Sequence, residues 1–158
     1  MTARELFSDA RRQVKALEAI RREISALRAS QGVSGASGGG SGTCASGSSL
    51  CMGDRLYDLE WREKAMSGGV EKTLGNLTDV LYGRSGRGGV ALRLGGSAEA
   101  DCVCGYYLMA KTWPQVAVEM AKLHEPDDVK NVASWCRNQA RRAFRVIDEI
   151  GVARLRDS

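Results

Sequence analysis

The side chains best suited to a chemical task lie between residues 130 and 145, where five Lys or Arg residues occur without any Asp or Glu. On a helical wheel the polar members of this stretch share one face, opposite a face of apolar side chains. Arginine can recognise guanine and asparagine can recognise adenine in the major groove, and cationic side chains neutralise phosphates. The pattern therefore indicates binding to duplex DNA. The candidate contact residues are Lys130, Asn131, Ser134, Arg137, Asn138, Arg141, Arg142 and Arg145.

Three closely spaced C-terminal helices are predicted to carry these residues. The first spans about 98–109. The second follows Thr112, a favourable N-cap, and Pro114 is tolerated in its first turn. The third spans about 127–150 and ends at Gly151. A short helix, a turn and a second helix with an Arg/Asn face is the layout of a helix-turn-helix.

Apolar side chains on the second helix, Val116, Ala117 and Met120, are predicted to support the third helix. The opposing apolar face of the third helix consists of Val129, Val132, Ala133, Cys136, Ala140, Ala143, Ile147 and Ile150.

Residues 98–150 resemble region 4 of sigma-70-type factors, in particular the phage-encoded RinA- and ArpU-like late transcription regulators. The resemblance implies a DNA-binding transcription regulator of phage or prophage origin, and it leaves a contact with RNA polymerase open. The matching residues are Tyr106 or Tyr107, Trp113, Val116, Ala117, Met120, Val129 or Val132, and Ala140 or Ala143.

The turn before the third helix departs from that family pattern. It is longer than usual and contains Glu125, Asp127 and Asp128. Acidic side chains suit a helix N-terminus but repel phosphate, so this turn could instead meet a protein partner. The three arginines of the later turns, Arg137, Arg141 and Arg145, would then be the main DNA contacts.

The N-terminal region, 1–31, is predicted to be one amphipathic helix. Its apolar positions recur at the 3.5-residue spacing of a coiled coil. Two alternatives remain open: the helix packs on its own domain, or it pairs with a second copy and makes the protein a homo-oligomer. The seam consists of Leu6, Ala10, Gln13, Leu17, Ile20, Ile24 and Leu27.

Two further segments separate this helix from the DNA-binding domain, 98–158. Residues 32–52 are predicted to be a flexible linker, because thirteen of residues 32–49 are Gly or Ser. Residues 53–97 are predicted to be a helical connector, with a break or kink at Gly68-Gly69 that gives two shorter helices and with a loop or short helical turn over 83–97. The whole chain is thus expected to be all-α. The seam of the connector is Leu56, Leu59, Glu63, Met66, Val70, Leu74, Leu77 and Leu81.

Composition narrows the function classes. The net charge of +4 permits nucleic-acid binding. No apolar run is long enough to span a membrane and no secretory signal core is found, so we expect a cytoplasmic protein that does not bind membranes. Its five cysteines are expected to be free thiols.

Sites of other kinds are not predicted. Cys102, Cys104, His124 and Cys136 lack the usual zinc-site spacing, and His124 is expected at the surface of a turn. No nucleophile–base pair stands out, so neither an enzyme nor a cofactor is expected. The alternative to a regulator is a helical structural or DNA-packaging adaptor, similar to a small terminase, that oligomerises through its N-terminal helix.

Overall fold

The computed structural model describes residues 1–34, 48–126 and 130–158, and within these ranges the regular structure is helical, without strands. This confirms the all-α prediction. A π-helical turn, Cys104–Leu108, directly follows the fourth helix. The helices are α1 (Ala3–Ser34), α2 (Ser48–Tyr82), α3 (Gly89–Leu94), α4 (Ala98–Val103), α5 (Trp113–His124), α6 (Val132–Ile150) and α7 (Val152–Arg156).

The chain divides into two compact units. One comprises Met1–Val14 and Val70–Ser158 and is called the core unit here; the other, Lys15–Gly69, is called the paired-helix unit. The first turns of α1 therefore belong to the same unit as the three C-terminal helices. The expected division into an N-terminal arm and a separate C-terminal domain does not anticipate this arrangement.

The core unit has a large cluster of buried apolar side chains in which Phe7 of α1 is fully buried, and a smaller one in which Val116 and Met120 of α5 pack with Cys102 and Cys136. The Phe7 ring lies 5.6 Å from the Phe144 ring and 6.3 Å from the Tyr107 ring, measured between centroids. Such aromatic pairs add to the stabilisation from apolar burial. The start of α1 is therefore part of the hydrophobic core.

The predicted seam of α1 needs a correction in its first half. Phe7 and Val14 are buried there, whereas Leu6 and Gln13 are only half-buried. The spacing of 3.5 residues identifies a narrow stripe suited to one partner helix. In the core unit several elements surround α1, so the buried stripe is wider and is centred one residue later.

In the paired-helix unit the second half of the α1 seam is covered by the same chain. Leu17, Ile24 and Leu59 are buried in this unit. Exposed ion pairs contribute little to stability, so apolar burial is the main stabilising contribution here. This arrangement corresponds to the first of the two alternatives, a helix that packs within its own chain. Three ion pairs join α1 to α2: Arg21–Glu63 at 2.9 Å, Arg28–Glu60 at 2.6 Å, and Glu23–Arg55.

The predicted break in the connector is wrong, because α2 continues through Gly68 and Gly69. Each glycine costs about 1 kcal/mol relative to alanine. Burial of Val70 and half-burial of Met66 on either side offset that cost. The seam itself is confirmed, since all of its eight members are buried or half-buried.

Of the other predicted helix boundaries, some differ from the observed ones and one is confirmed. Residues 32–34 and 48–52 of the predicted linker are helical, and 35–47 lie outside the described residues. The third C-terminal helix begins at Val132 rather than at 127, because Asn131 is its N-cap. The segment 83–97 contains the short helix α3, and the expected end at Gly151 is confirmed.

Gly89 makes a close approach between α3 and α2 that no side chain can fill. Its φ is +63°, and an added Cβ would lie 2.6 Å from the Val80 oxygen. We expect Gly89→Ala to lower the free energy of unfolding by about 3 kcal/mol, from left-handed strain together with overpacking. Gly86→Ala is the matched control, because Gly86 has a φ of +72° in open space. The measurement is urea unfolding of both variants. An equal loss of unfolding free energy in Gly89→Ala and Gly86→Ala would contradict the close approach of Gly89 to α2.

Candidate nucleic-acid interface

Helix α6 carries the predicted contact residues, and it packs on α3, α4, α5 and α7. The predicted support from α5 is confirmed, since Val116 and Met120 are buried and Ala117 is half-buried. Gln139 and Phe144 are also buried, although the wheel did not place them on the apolar face. The face is wider than predicted because α1 and the π-helical turn also contact α6, where the Phe7 and Tyr107 rings lie 5.6 Å and 5.2 Å from the Phe144 ring. Of the predicted apolar residues, Cys136, Ala140, Ala143 and Ile147 are buried, Val132, Ala133 and Ile150 are half-buried, and Val129 lies outside the described residues.

Side-chain hydrogen bonds cap the N-termini of α5 and α6. Thr112 accepts a hydrogen bond from the Gln115 backbone N–H, and the Gln115 side chain accepts one from the Thr112 N–H at 2.9 Å. This capping box confirms the predicted N-cap. At α6 the Asn131 side-chain oxygen accepts from the Ser134 N–H at 3.0 Å. Asn131 therefore has a structural role at the end of the candidate face.

All eight predicted contact residues are exposed to solvent. The side of α6 that faces away from α4 and α5 carries Ser134, Asn138, Arg141 and Arg145. Arg137 and Arg142 lie at its two flanks, towards Trp113 and Glu99, and Lys130 and Asn131 directly precede the helix. Among the described residues from Lys130 onwards, the first acidic ones on this surface are Asp148 and Glu149. Asp148 accepts a hydrogen bond from the Ala3 N–H at 2.7 Å, which joins the first turn of α1 to the end of α6.

Arg142 lies at the flank of this surface and is engaged with a buried carboxylate. Its guanidinium is 3.2 Å from Glu99, whose side chain is 9% exposed. Gln139 completes the cluster: with its amide oriented to satisfy both neighbours, its nitrogen donates to Glu99 at 3.1 Å and its oxygen accepts from the Trp135 indole at 3.0 Å. A buried carboxylate needs such partners. Of the predicted residues, Arg142 therefore also stabilises the packing of α6 on α4.

Four side chains, one each from α1, the π-helical turn, α5 and α6, form a stack in the core unit. The Tyr106 and Trp113 rings are stacked with centroids 4.1 Å apart. Arg11 of α1 lies over the Tyr106 ring at 3.8 Å, and Arg137 of α6 lies over the Trp113 ring at 5.9 Å. Cation–π contacts of this kind hold arginine side chains in place while leaving their charge uncompensated.

The sequence analysis missed the contribution of α1 to this surface. Arg4 lines a pocket with Arg137 and Arg141, and Arg11 donates hydrogen bonds to the main-chain oxygens of Tyr106 and Lys111, the latter at 2.9 Å. The basic character of α1 was visible, but its position next to α6 depends on tertiary packing. The burial of Phe7 is what brings Arg4 and Arg11 to this side of the unit.

Only part of the acidic turn before α6 lies within the described residues. Glu125 ends α5 in a left-handed conformation with φ of +39°. Asp127 and Asp128 lie outside the described residues.

His124 is half-buried, not at the surface as expected, because it closes α5 against α4. Its Nε2 donates to Asp101 Oδ2 at 2.8 Å, and the Tyr82 hydroxyl donates to the other oxygen of Asp101 at 2.5 Å. Within the described ranges, His, Cys, Asp and Glu side chains form no group of three that could hold a metal ion. Cys102, Cys104 and Cys136 are free, and the structure describes no side chain for Cys44 or Cys51.

The Tyr82–Asp101 contact leads to a prediction about alkaline pH. Burial, followed by the hydrogen bond to Asp101, raises the pKa of Tyr82 above its ordinary value of 10.0, and burial raises the pKa of Cys102 above 9.0. The folded chain thus retains protons that the unfolded chain releases, so stability falls as pH rises above about 9–10. We expect the midpoint of urea unfolding to fall between pH 8 and pH 10.5. In Tyr82→Phe the fall should be smaller; an equal fall would contradict the assignment to Tyr82.

Comparisons of the chain with protein family models, curated proteins and solved structures found no match. The resemblance to sigma region 4 therefore remains an expectation from sequence. Among the described helices, none is both long and apolar enough to cross a lipid bilayer.

Proposed function

We propose that this protein binds duplex DNA through the exposed face of α6 and acts as a transcription regulator. One observation carries the proposal: eight polar or basic side chains between residues 130 and 145 are all exposed on one side of a well-packed helix. The same stretch contains no acidic residue. Between Lys130 and Arg145 a polyanion that approaches this side meets positive and neutral exposed side chains, and Asp148 and Glu149 follow beyond them.

The size of the surface fits the major groove. From Asn131 to Arg145 the helix rises by about 21 Å, at 1.5 Å per residue. The groove admits one α-helix and displays the base edges that Arg and Asn recognise. Asp148 and Glu149 limit the contact at the C-terminal end, because their charge repels phosphate.

The contacts of α6 divide the candidate residues by role. We expect Ser134, Arg137, Asn138, Arg141 and Arg145 to contact DNA directly. Arg142 is partly neutralised by Glu99, and Asn131 caps the helix. These two are expected to position the helix more than to recognise bases.

The adaptor alternative has less support from the fold. It requires the α1 seam to be available to a second copy. In each unit the members of that seam are buried or half-buried by residues of the same chain. A regulator that binds DNA through α6 requires no such surface.

The proposal is tested with the purified full-length protein in a selection from random duplex DNA, followed by salt titration of the enriched sequence. We expect one sequence class to be enriched. Affinity should fall with salt at a slope of about −0.9 per phosphate neutralised. If no sequence is enriched and bulk duplex is not bound at low salt, the proposed function is wrong.

A further inference from the structure

A pocket of about 250 Å³ opens between the first turn of α1 and the exposed face of α6. Arg4 comes from α1, and Arg137 and Arg141 come from α6. Among the described residues, none that lines the pocket is acidic. Three guanidinium groups therefore surround one small volume. The aromatic side chains in the lining are Tyr106, Tyr107, Trp113 and Phe144.

None of these three arginines forms an ion pair with a described carboxylate, whereas the adjacent Arg142 pairs with Glu99. Asp148 and Glu149 line a neighbouring pocket with Arg4 and Arg141, without forming an ion pair with either of them. Arg137 and Arg141 are one helical turn apart, and like charges at that spacing repel. An anion in the pocket would relieve this repulsion.

Neutral contacts hold two of the three arginines in position. Arg137 lies over the Trp113 ring at 5.9 Å, and Arg141 donates to Asn138 at 3.2 Å. A guanidinium has five N–H donors, so each arginine keeps donors available for a ligand. Because Arg137 and Arg141 are already restrained, less conformational entropy is lost on binding.

The aromatic rings favour an anion over a nucleobase as the ligand. Trp113 stacks on Tyr106, and Arg11 lies over the Tyr106 ring. The Tyr106 ring is thus already covered by Trp113 and Arg11, which leaves the positive charge as the main feature of the pocket.

We propose that this pocket binds a phosphate group, held by the guanidinium groups of Arg4, Arg137 and Arg141. Phosphate offers several acceptor oxygens and up to two negative charges, and arginine binds it with two parallel hydrogen bonds. The group could belong to the DNA backbone or to a free phosphate compound. Binding of a DNA backbone phosphate rests on the proposed function, whereas binding of a free phosphate compound does not.

The test uses the indole N–H resonances of full-length protein labelled with ¹⁵N-tryptophan. Trp113 lines the pocket, and Trp61, which is 64% exposed and belongs to the paired-helix unit, serves as the internal reference. One arm adds inorganic pyrophosphate, and the other adds a short duplex DNA. Each arm is repeated with Arg4→Ala and Arg141→Ala, and with Arg22→Ala as a control on the exposed side of α1.

We expect the Trp113 resonance to shift to saturation while the Trp61 resonance stays in place. Arg4→Ala and Arg141→Ala should each weaken binding about tenfold or more, since a charge-assisted hydrogen bond contributes about 1.5–3 kcal/mol; Arg22→Ala should not. A shift with duplex alone, sensitive to Arg4, assigns the phosphate to DNA.

Two results separate the pocket from the proposed function. A shift with pyrophosphate, when duplex does not bind, supports the pocket and contradicts DNA binding. If Trp113 shifts in neither arm, or shifts equally in Arg4→Ala and Arg141→Ala, the phosphate pocket is wrong even where duplex binds.

Discussion

Phe7→Ala is expected to lower the free energy of unfolding by about 3–5 kcal/mol, the range for a fully buried aromatic side chain. Phe7 is 0% exposed and contacts the Tyr107 and Phe144 rings. Its loss would leave a cavity between α1 and α6. The measurement is urea unfolding followed by circular dichroism.

Trp61→Ala is the matched control for Phe7→Ala. It also removes a large aromatic side chain, but Trp61 is 64% exposed. We expect a change within about 0.5 kcal/mol, as is usual for surface substitutions. If Phe7→Ala is no more destabilising than Trp61→Ala, the first turns of α1 do not belong to the core.

Replacing Arg137, Arg141 and Arg145 together by alanine is expected to have the largest effect on DNA binding. All three are exposed on α6 and form no ion pair with a described carboxylate. At about 1–3 kcal/mol each, their loss should weaken binding about 100-fold or more. Fluorescence anisotropy with duplex DNA at several salt concentrations gives both the affinity and the slope. The slope should decrease by about one for each arginine that contacts phosphate.

A second triple variant tests whether DNA affinity depends on the position of the three arginines or on the net charge of the protein. Lys15→Ala, Lys64→Ala and Lys72→Ala together remove three charges from exposed sites on α1 and α2. Long-range electrostatics alone would weaken both triple variants similarly. The proposed interface predicts that the lysine variant binds within a few-fold of the parent, with a nearly unchanged slope.

The features that the sequence predicts correctly depend on local patterns. The Thr112 cap, the α2 seam and the exposed Arg/Asn side of α6 all follow from residue types within one or two helical turns. Periodicity identifies the apolar face of a helix, but it does not show which elements cover that face. For this reason the spacing of α1 left open whether its seam packs within the chain or against a second copy, and it did not indicate that Phe7 packs against Phe144.

In the candidate site, too, local sequence patterns predict the exposure of side chains but not their contacts with distant residues. Exposure of the eight residues followed from the wheel. The engagement of Arg142 by Glu99 and of Arg137 by Trp113 joins residues far apart in sequence. The position of Arg4 beside Arg141 likewise depends on the burial of Phe7, which no local pattern indicates.

Photo-crosslinking tests the central claim, that the exposed face of α6 contacts DNA, most directly. A benzophenone-bearing residue is placed at position 138, in the middle of that face, and separately at position 61 on α2; both native side chains are exposed. With labelled duplex DNA we predict a crosslink from position 138 that is lost in the Arg137/Arg141/Arg145 variant, and none from position 61. Crosslinking from position 61 but not from position 138 would contradict the account.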